Sequence, residues 1–319
     1  MAFAFDVALV LLTVAVAAWT IALRDGFAAV VAFVVYGALL ALAWVRLGAI
    51  DVALTEAAIG AGLTGALLIG AAAAVRRATR TALPEQRPDL GTRTLAAVLC
   101  AAVAGSIAAG VLLLPEPAPS LAADAARHLD ATGLGNPVTA VLIAYRATDT
   151  LLEKVVLVLA IAGVWSFAPD GVWGGRPGPA PAASQPGALL LLARVLPPVG
   201  VVVGAYVLWA GADHPGGAFQ GGTILAAMVL LVVMAGLADV PRIGSRALRA
   251  MVLAGPMVFL AVGFAGVVIA DAFLAYPVPY AKPIILAIEI VLTLSIAATL
   301  ALLLAGPPER DASPARPGQ

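Results

Sequence analysis

The 319-residue sequence predicts an all-α, polytopic transmembrane fold of about nine spans, with the N-terminus outside and the C-terminus cytoplasmic. Three observations predict it. The chain is 62% hydrophobic and 11% charged, its apolar runs reach membrane-crossing length, and its basic residues collect between alternate runs. Ordinary soluble domains carry roughly 25% charged residues. A soluble fold of this length keeps too much of its chain wet to hide so apolar a sequence, whereas a bilayer is itself an apolar solvent.

A helix needs about 20 apolar residues to cross the hydrocarbon core. Runs at 3–23, 27–45, 52–74, 94–114, 145–168, 187–209, 219–238, 250–270 and 283–305 meet that length. The first has no basic stretch before it and carries Asp6 in its opening turns, which argues for a retained span rather than a cleaved signal peptide. Arg24-Asp25-Gly26 separates the first two spans, and the Arg76-to-Arg93 stretch separates the third from the fourth. Pro115-Glu116-Pro117 closes the fourth, Asp239-Val240-Pro241 the seventh and Tyr276-Pro277 the eighth. Asp170 to Gly187 is rich in Pro, Gly and Ala, the composition of a linker. The expected organisation is a five-span module at 1–168, a linker at 169–186, a four-span module at 187–305 and a flexible tail at 306–319.

Orientation follows from the positive-inside rule. Arg76, Arg77, Arg80, Arg87 and Arg93 put the loop after the third span in the cytoplasm. Alternation then places Arg24, Arg176, Arg242, Arg246, Arg249, Arg310 and Arg316 on the same side, against Arg46 and Arg127 outside.

Composition also excludes. The 18 basic and 18 acidic residues balance, so nothing electrostatic favours nucleic acid. The single cysteine, Cys100, rules out an internal disulfide, a CxxC pair and a cluster held by this chain's own thiols. His128 and His214 are too far apart in sequence to form a metal-ligand motif. No cofactor is expected. Gly60-Ala61-Gly62-Leu63-Thr64-Gly65 fits the dinucleotide pattern letter for letter, but inside an apolar helix with no strand before it, so it reads as helix packing.

A charge at mid-bilayer costs roughly 2.5–3.5 kcal/mol on insertion scales, so ionisable residues there face protein or water and mark function. Glu56 lies in the third span, with Thr64 about 80° away around the helix. A carboxyl so placed can hold a proton or a transient Na⁺; the alternative is a hydrogen bond to a neighbouring helix. Arg146, Asp149 and Glu153 follow i, i+3, i+7 spacing, and Lys154 is turned from Glu153 by about 100°. Arg146 with Asp149 reads equally as an interfacial ion pair, in a segment from Asn136 to Phe167 that is either an interfacial helix entering a span or one long bent helix. Glu153 and Lys154 lie deeper and suit a relay with two partners, with a transient Na⁺ expected near Glu56 and Glu153. Lys282, Glu289 and Thr293 share one face of the last span; Lys282 can snorkel to the boundary, whereas Glu289 cannot readily do so. Between spans six and seven, the ten residues Asp213 to Gly222 include four glycines and a proline. Pro215, Gly216, Gly217, Phe219, Gly221 and Gly222 form the expected tight structural turn, with His214 a cap or a group that titrates near neutrality.

Three of these stretches carry a resemblance. LGAIDVALTEAAIGAGLTGALLIGA at 47–71 resembles the small module near the C-terminus of the large MrpA protein of Mrp-type cation/proton antiporters, and the MbhD protein of membrane-bound hydrogenases. GNPVTAVLIAYRATDTLLEKVVLVLAIAGVWSF at 135–167 resembles the next module, the hydrogenase MbhE protein, with Asn136, Arg146, Asp149, Thr150 and Glu153 at the matching positions. GADHPGGAFQGGTILAAMVLLV at 211–232 resembles the signature of the MrpB protein, which is also related to the hydrogenase MbhF protein. Lys154 departs from the pattern, which has an uncharged residue there, and Glu289 stands where MrpB proteins more often have Asp.

The resemblance implies an accessory membrane subunit of a multisubunit Na⁺/H⁺ antiporter, with Glu56, Asp149, Glu153, Lys154 and Glu289 along an ion pathway and Thr64, Arg146, His214, Lys282 and Thr293 supporting it. The implied partners are the antiporter-like MrpA and MrpD proteins, the small MrpC, MrpE, MrpF and MrpG proteins, and membrane lipids, in a bacterial or archaeal cell membrane. The chain itself is then not an enzyme. Two alternatives stand beside this: the same module in a hydrogenase-like redox complex, or a purely structural role in assembly.

Overall fold

The computed structural model describes residues 2–79, 89–117, 119–178 and 187–310. Arg80, Arg87, Arg316, the centre of the expected linker and most of the expected tail lie outside them. The architecture is helical. It opens with α1 (Ala2–Ala22) and α2 (Gly26–Arg46), followed by α3 (Ile50–Thr55), which runs through a π-helical stretch, Glu56–Thr64, into α4 (Gly65–Thr79). Next come α5 (Leu90–Leu112), the short α6 (Ala122–Arg127) and α7 (Leu129–Thr132), and α8 (Pro137–Ala140), which leads through a second π-helical stretch, Val141–Tyr145, to α9 (Ala147–Ser166). The last four helices are α10 (Gly187–Ala210), α11 (Ala218–Met234), α12 (Arg246–Ile269) and α13 (Ala281–Ala305).

Seven spans among the described residues are long and apolar enough to cross a membrane. The other two expected spans fall on α9, which carries Asp149, Glu153 and Lys154, and on α11, which has 17 residues. The sequence pattern carries α11 to residue 238, but it stops at Met234. Gly236 takes a left-handed conformation there, and the N–H groups of Gly236 and Leu237 close back on the Val233 and Val232 carbonyls.

The core sits around α13. Ile285, Ile288, Leu292, Ile296 and Leu300 are fully buried among Phe259 of α12, Ala226 of α11 and Leu151 of α9. Glycines let the helices close. A Cβ on Gly222 would lie 2.8 Å from Ile296, and one on Gly255 2.9 Å from the Ser295 hydroxyl. The GxGxxG segment packs in the same way: Gly65 lies against Val34, and Ala61 against Gly37 of α2. At the far end of the first hairpin, Arg46 grips Asp6 through two hydrogen bonds of 2.7 and 2.8 Å, an ion pair between the expected first two spans.

Two expectations are sharpened. Of the two alternatives for Asn136 to Phe167, one long bent helix is set aside, because the backbone breaks at Arg146 (φ −128°, ψ 39°) between the π-helical stretch and α9. The carbonyls freed by the break are taken up locally. Arg146 N–H donates to Val141 (2.8 Å), the Thr150 hydroxyl to Leu142 (2.6 Å) and the Tyr276 hydroxyl to Ile143 (3.0 Å). Such satisfaction is what lets irregular backbone persist at membrane depth. The linker and tail also begin as ordered structure. Arg176–Pro177 (β1) pairs antiparallel with Pro308–Arg310 (β2), and Ile243 and Gly244 donate to the Gly175 and Gly174 carbonyls. Composition marks such a stretch as a linker because it cannot register partners more than 60 residues away.

Candidate functional site

The turn from Asp213 to Gly222 is built by its glycines and docks on the first half of the chain. Gly216 and Gly217 have φ of 151° and 138°, conformations open mainly to glycine. Gly217 N–H donates to the Val207 carbonyl at 3.0 Å, and a Cβ on Gly216 would overlap that carbonyl oxygen. A Cβ on Gly221 would lie 2.8 Å from the Gly204 carbonyl oxygen, so α10 and α11 meet backbone to backbone.

Facing the turn, Asp51 of α3 accepts from Gly216 N–H (2.9 Å) and from the Asn136 amide (3.3 Å). That amide also donates to the His214 carbonyl (3.0 Å), while the Asn136 side-chain oxygen caps α8 by accepting from Val138 N–H (2.9 Å). The Gln220 amide donates to the Thr55 hydroxyl (3.1 Å) and the Thr139 hydroxyl to the Gly211 carbonyl (2.6 Å). At the rim, Lys282 bonds both Asp213 oxygens at 2.7 and 2.8 Å; this ammonium, helped by the Gly135 N–H, holds the Asp213 carboxyl below the usual aspartate range.

Beneath the turn lies a cavity of about 370 Å³, bordered by α3, both π-helical stretches, α9, α11 and α13. Lys154 and Glu289, 2% and 3% exposed, enter it from α9 and α13. The Lys154 Nζ stands 3.4 Å from the centre of the Phe219 ring, a cation–π placement. One side of the Glu289 carboxylate receives the Ala218 N–H at the start of α11. Lys154 Nζ and Glu289 Oε2 are both buried without a hydrogen-bond partner among the described residues. Uncompensated buried charge is expensive, and the cavity far exceeds the ~10–15 Å³ that one water needs, so water is the natural bridge. Glu153, on the neighbouring face of α9, also lines the cavity but is exposed.

Two segments of the chain are similar to known families. Residues 11–77 match the family of the MBH D subunit (MbhD), and residues 188–306 match the domain related to the MnhB subunit of Na⁺/H⁺ antiporter. Each match covers less than half of the chain, and together they leave residues 78–187 unmatched. No curated protein sequence matches the chain. Among solved structures, a chain of the Mrp complex from Dietzia sp. DQ12-45-1b aligns over 96% of this chain at 24% identity and a TM-score of 0.70. This chain spans 35% of that one's length. A chain of the membrane-bound sulfane sulfur reductase (MBS), an archaeal respiratory membrane complex, aligns over 67% of this chain and 97% of its own, at 23% identity and a TM-score of 0.55. At these identities the two structures show a shared fold.

The cavity is lined by residues of both matched segments and by α8 to α9, which lie between them. It gathers three of the five expected pathway residues: Glu153, Lys154 and Glu289. Glu56 is outside its lining. That carboxylate turns back over Gly60 within the π-helical stretch, and the Thr64 hydroxyl donates to the Ile59 carbonyl. Asp149 pairs with Arg146 at 2.6 Å in an exposed ion pair at the start of α9, the interfacial alternative for those two residues. Thr293 donates to the Glu289 backbone carbonyl at 2.7 Å and supports the helix rather than the carboxylate. Lys282 and the exposed His214 lie at the rim. Glu56 and Glu153 do not line one cavity, and no cluster of three His, Cys, Asp or Glu occurs among the described residues.

Asp51, Thr55 and Gln220 are the residues that sequence reasoning missed. An aspartate in the first turn of a helix is usually accounted for by the helix N-terminus, and nothing local reveals that it accepts from a glycine N–H 165 positions away.

Proposed function

We propose that this chain is a non-enzymatic accessory subunit of a multisubunit Mrp-type Na⁺/H⁺ antiporter, in which the cavity between its two halves is a section of the ion route. The observation that carries the reading is a pair of buried opposite charges, Lys154 and Glu289, whose Nζ and Oε2 have no hydrogen-bond partner among the described residues and which face one solvent-sized chamber from α9 and α13. Intramembrane ionisable groups that keep no fixed partner are groups that exchange one. The fold likeness to the Mrp chain over 96% of the sequence supports an Mrp-type host, with the antiporter-like MrpA and MrpD proteins and the small MrpC, MrpE, MrpF and MrpG proteins as partners in a bacterial or archaeal cell membrane. Glu56, off the cavity but half-buried in a π-helical stretch, belongs to the same route in this reading; such stretches concentrate at functional sites.

The test is ΔpH-driven cation exchange in everted vesicles carrying the assembled complex. Glu289→Gln and Glu56→Gln each abolish exchange while the complex still co-purifies. Wild-type exchange in both variants would refute the route.

A second reading keeps the route but places it in a redox-driven host. The MbhD match and the likeness to the MBS chain over 97% of its length favour it. Iron–sulfur absorbance in the purified native complex decides for this host, and its absence for the antiporter.

A further inference from the structure

The chamber's polar groups are mostly committed. Asp51 is held by Gly216 and Asn136, and Thr55 accepts from Gln220. The Thr139 and Thr150 hydroxyls donate to the Gly211 and Leu142 carbonyls. Three titratable lining side chains remain: Lys154 and Glu289, whose Nζ and Oε2 have no hydrogen-bond partner among the described residues, and, on the open side, Glu153. Lys154 is the only cationic side chain among the lining residues. A lysine serving only as a structural counter-ion would sit in hydrogen-bonding contact with a carboxylate. Here Nζ rests on the Phe219 ring instead, with a carboxylate on its own helix and another across the chamber. A four-carbon stem with rotatable donors suits movement between two acceptors.

We propose that Lys154 is the proton carrier of this chamber, passing protons between Glu153 and Glu289, and that its charge makes the chamber a proton section from which Na⁺ is excluded. In one step the ammonium breaks an N–H bond and gives that proton to the Glu289 carboxylate, leaving a neutral amine and a carboxylic acid. In the next the amine takes a proton from protonated Glu153, restoring the ammonium and leaving a carboxylate. Protons and charge balance, and no other reactant is needed. Na⁺ is kept out because an ammonium beside it in a low-dielectric chamber is repulsive. The inference rests on the reading of this cavity as part of the ion route.

Arginine separates the two parts of the proposal, because it keeps the charge but does not deprotonate in proteins. The assembled complex carrying Lys154→Arg, Lys154→Met, Glu153→Gln or Glu289→Gln is reconstituted in vesicles, and H⁺ movement and ²²Na⁺ uptake are recorded separately. Lys154→Arg loses H⁺ movement by about a hundredfold, the scale of a positioned proton-transfer group, with no added dependence on Na⁺. Lys154→Met, the closer match in size, loses H⁺ movement to the same extent, and its residual flux becomes inhibited by Na⁺. Wild-type H⁺ movement in either Lys154 variant overturns the carrier role, and an equal Na⁺ response in the arginine and methionine variants overturns the exclusion of Na⁺ by its charge. If the two glutamate variants also move both ions normally, it is the reading of the cavity as an ion route that has failed.

Discussion

In α13, 61% of the most apolar spanning window is buried within the chain, whereas in α5 none of it is. Both helices are strongly apolar, and their mean hydropathies of 2.4 and 2.3 do not separate them. The difference is one of partners. α13 is flanked by α9, α11 and α12, with Phe259 and Ile296 closed off completely. α5 turns Leu95, Val103, Ile107 and Val111 outward, each about 60% exposed. Lipid is as apolar as leucine, so an outward apolar face costs nothing in a bilayer, and helix association there relies on packing rather than on escape from water. α13 thus lies in a core shared with α9, α11 and α12, while α5 presents its surface to lipid or to the other membrane proteins of an assembly.

Three substitutions sharpen that contrast, read as unfolding of the detergent-solubilised chain. Phe259→Ala in the packed domain has the largest expected effect, a loss of about 3–5 kcal/mol, the scale for deleting a buried aromatic side chain. A shift below that of an exposed site would show that the core is loose. Asp51→Ala strikes the joint between the halves. It strands the Gly216 N–H and the Asn136 amide, with an expected loss of about 1–3 kcal/mol and faster proteolysis between the halves. Unchanged stability and cleavage would mean that the docked turn does not join them. Val103→Ala on α5 has the smallest effect, within about 0.5 kcal/mol; a loss comparable to that of Phe259→Ala would show α5 packed inside the chain.

Much of the fold was legible because its signals are local. The apolar runs, the Arg24-to-Gly26 break and the Pro- and Gly-rich turns each report on a few neighbouring residues. Lys154 and Glu289 were legible as chemistry for the same reason: a charge inside an apolar run is conspicuous wherever the chain then goes. The break at Arg146 was not legible. Val141 to Tyr145 reads as ordinary apolar helix, and the Tyr276 hydroxyl that takes up the Ile143 carbonyl comes from 133 residues downstream. Glu56 and Glu153 look alike in sequence, yet one folds over Gly60 and the other opens on the chamber.

The sequence by itself determined that this is a membrane protein of apolar helices with ionisable groups among them, because transfer from water to hydrocarbon is counted residue by residue along the chain. Only the tertiary structure decided which charges meet, and that the turn at Asp213 to Gly222 closes on Asp51 to roof a cavity. Those facts depend on how closely helices approach and on where buried donors find acceptors, and both are set by partners distant in the chain.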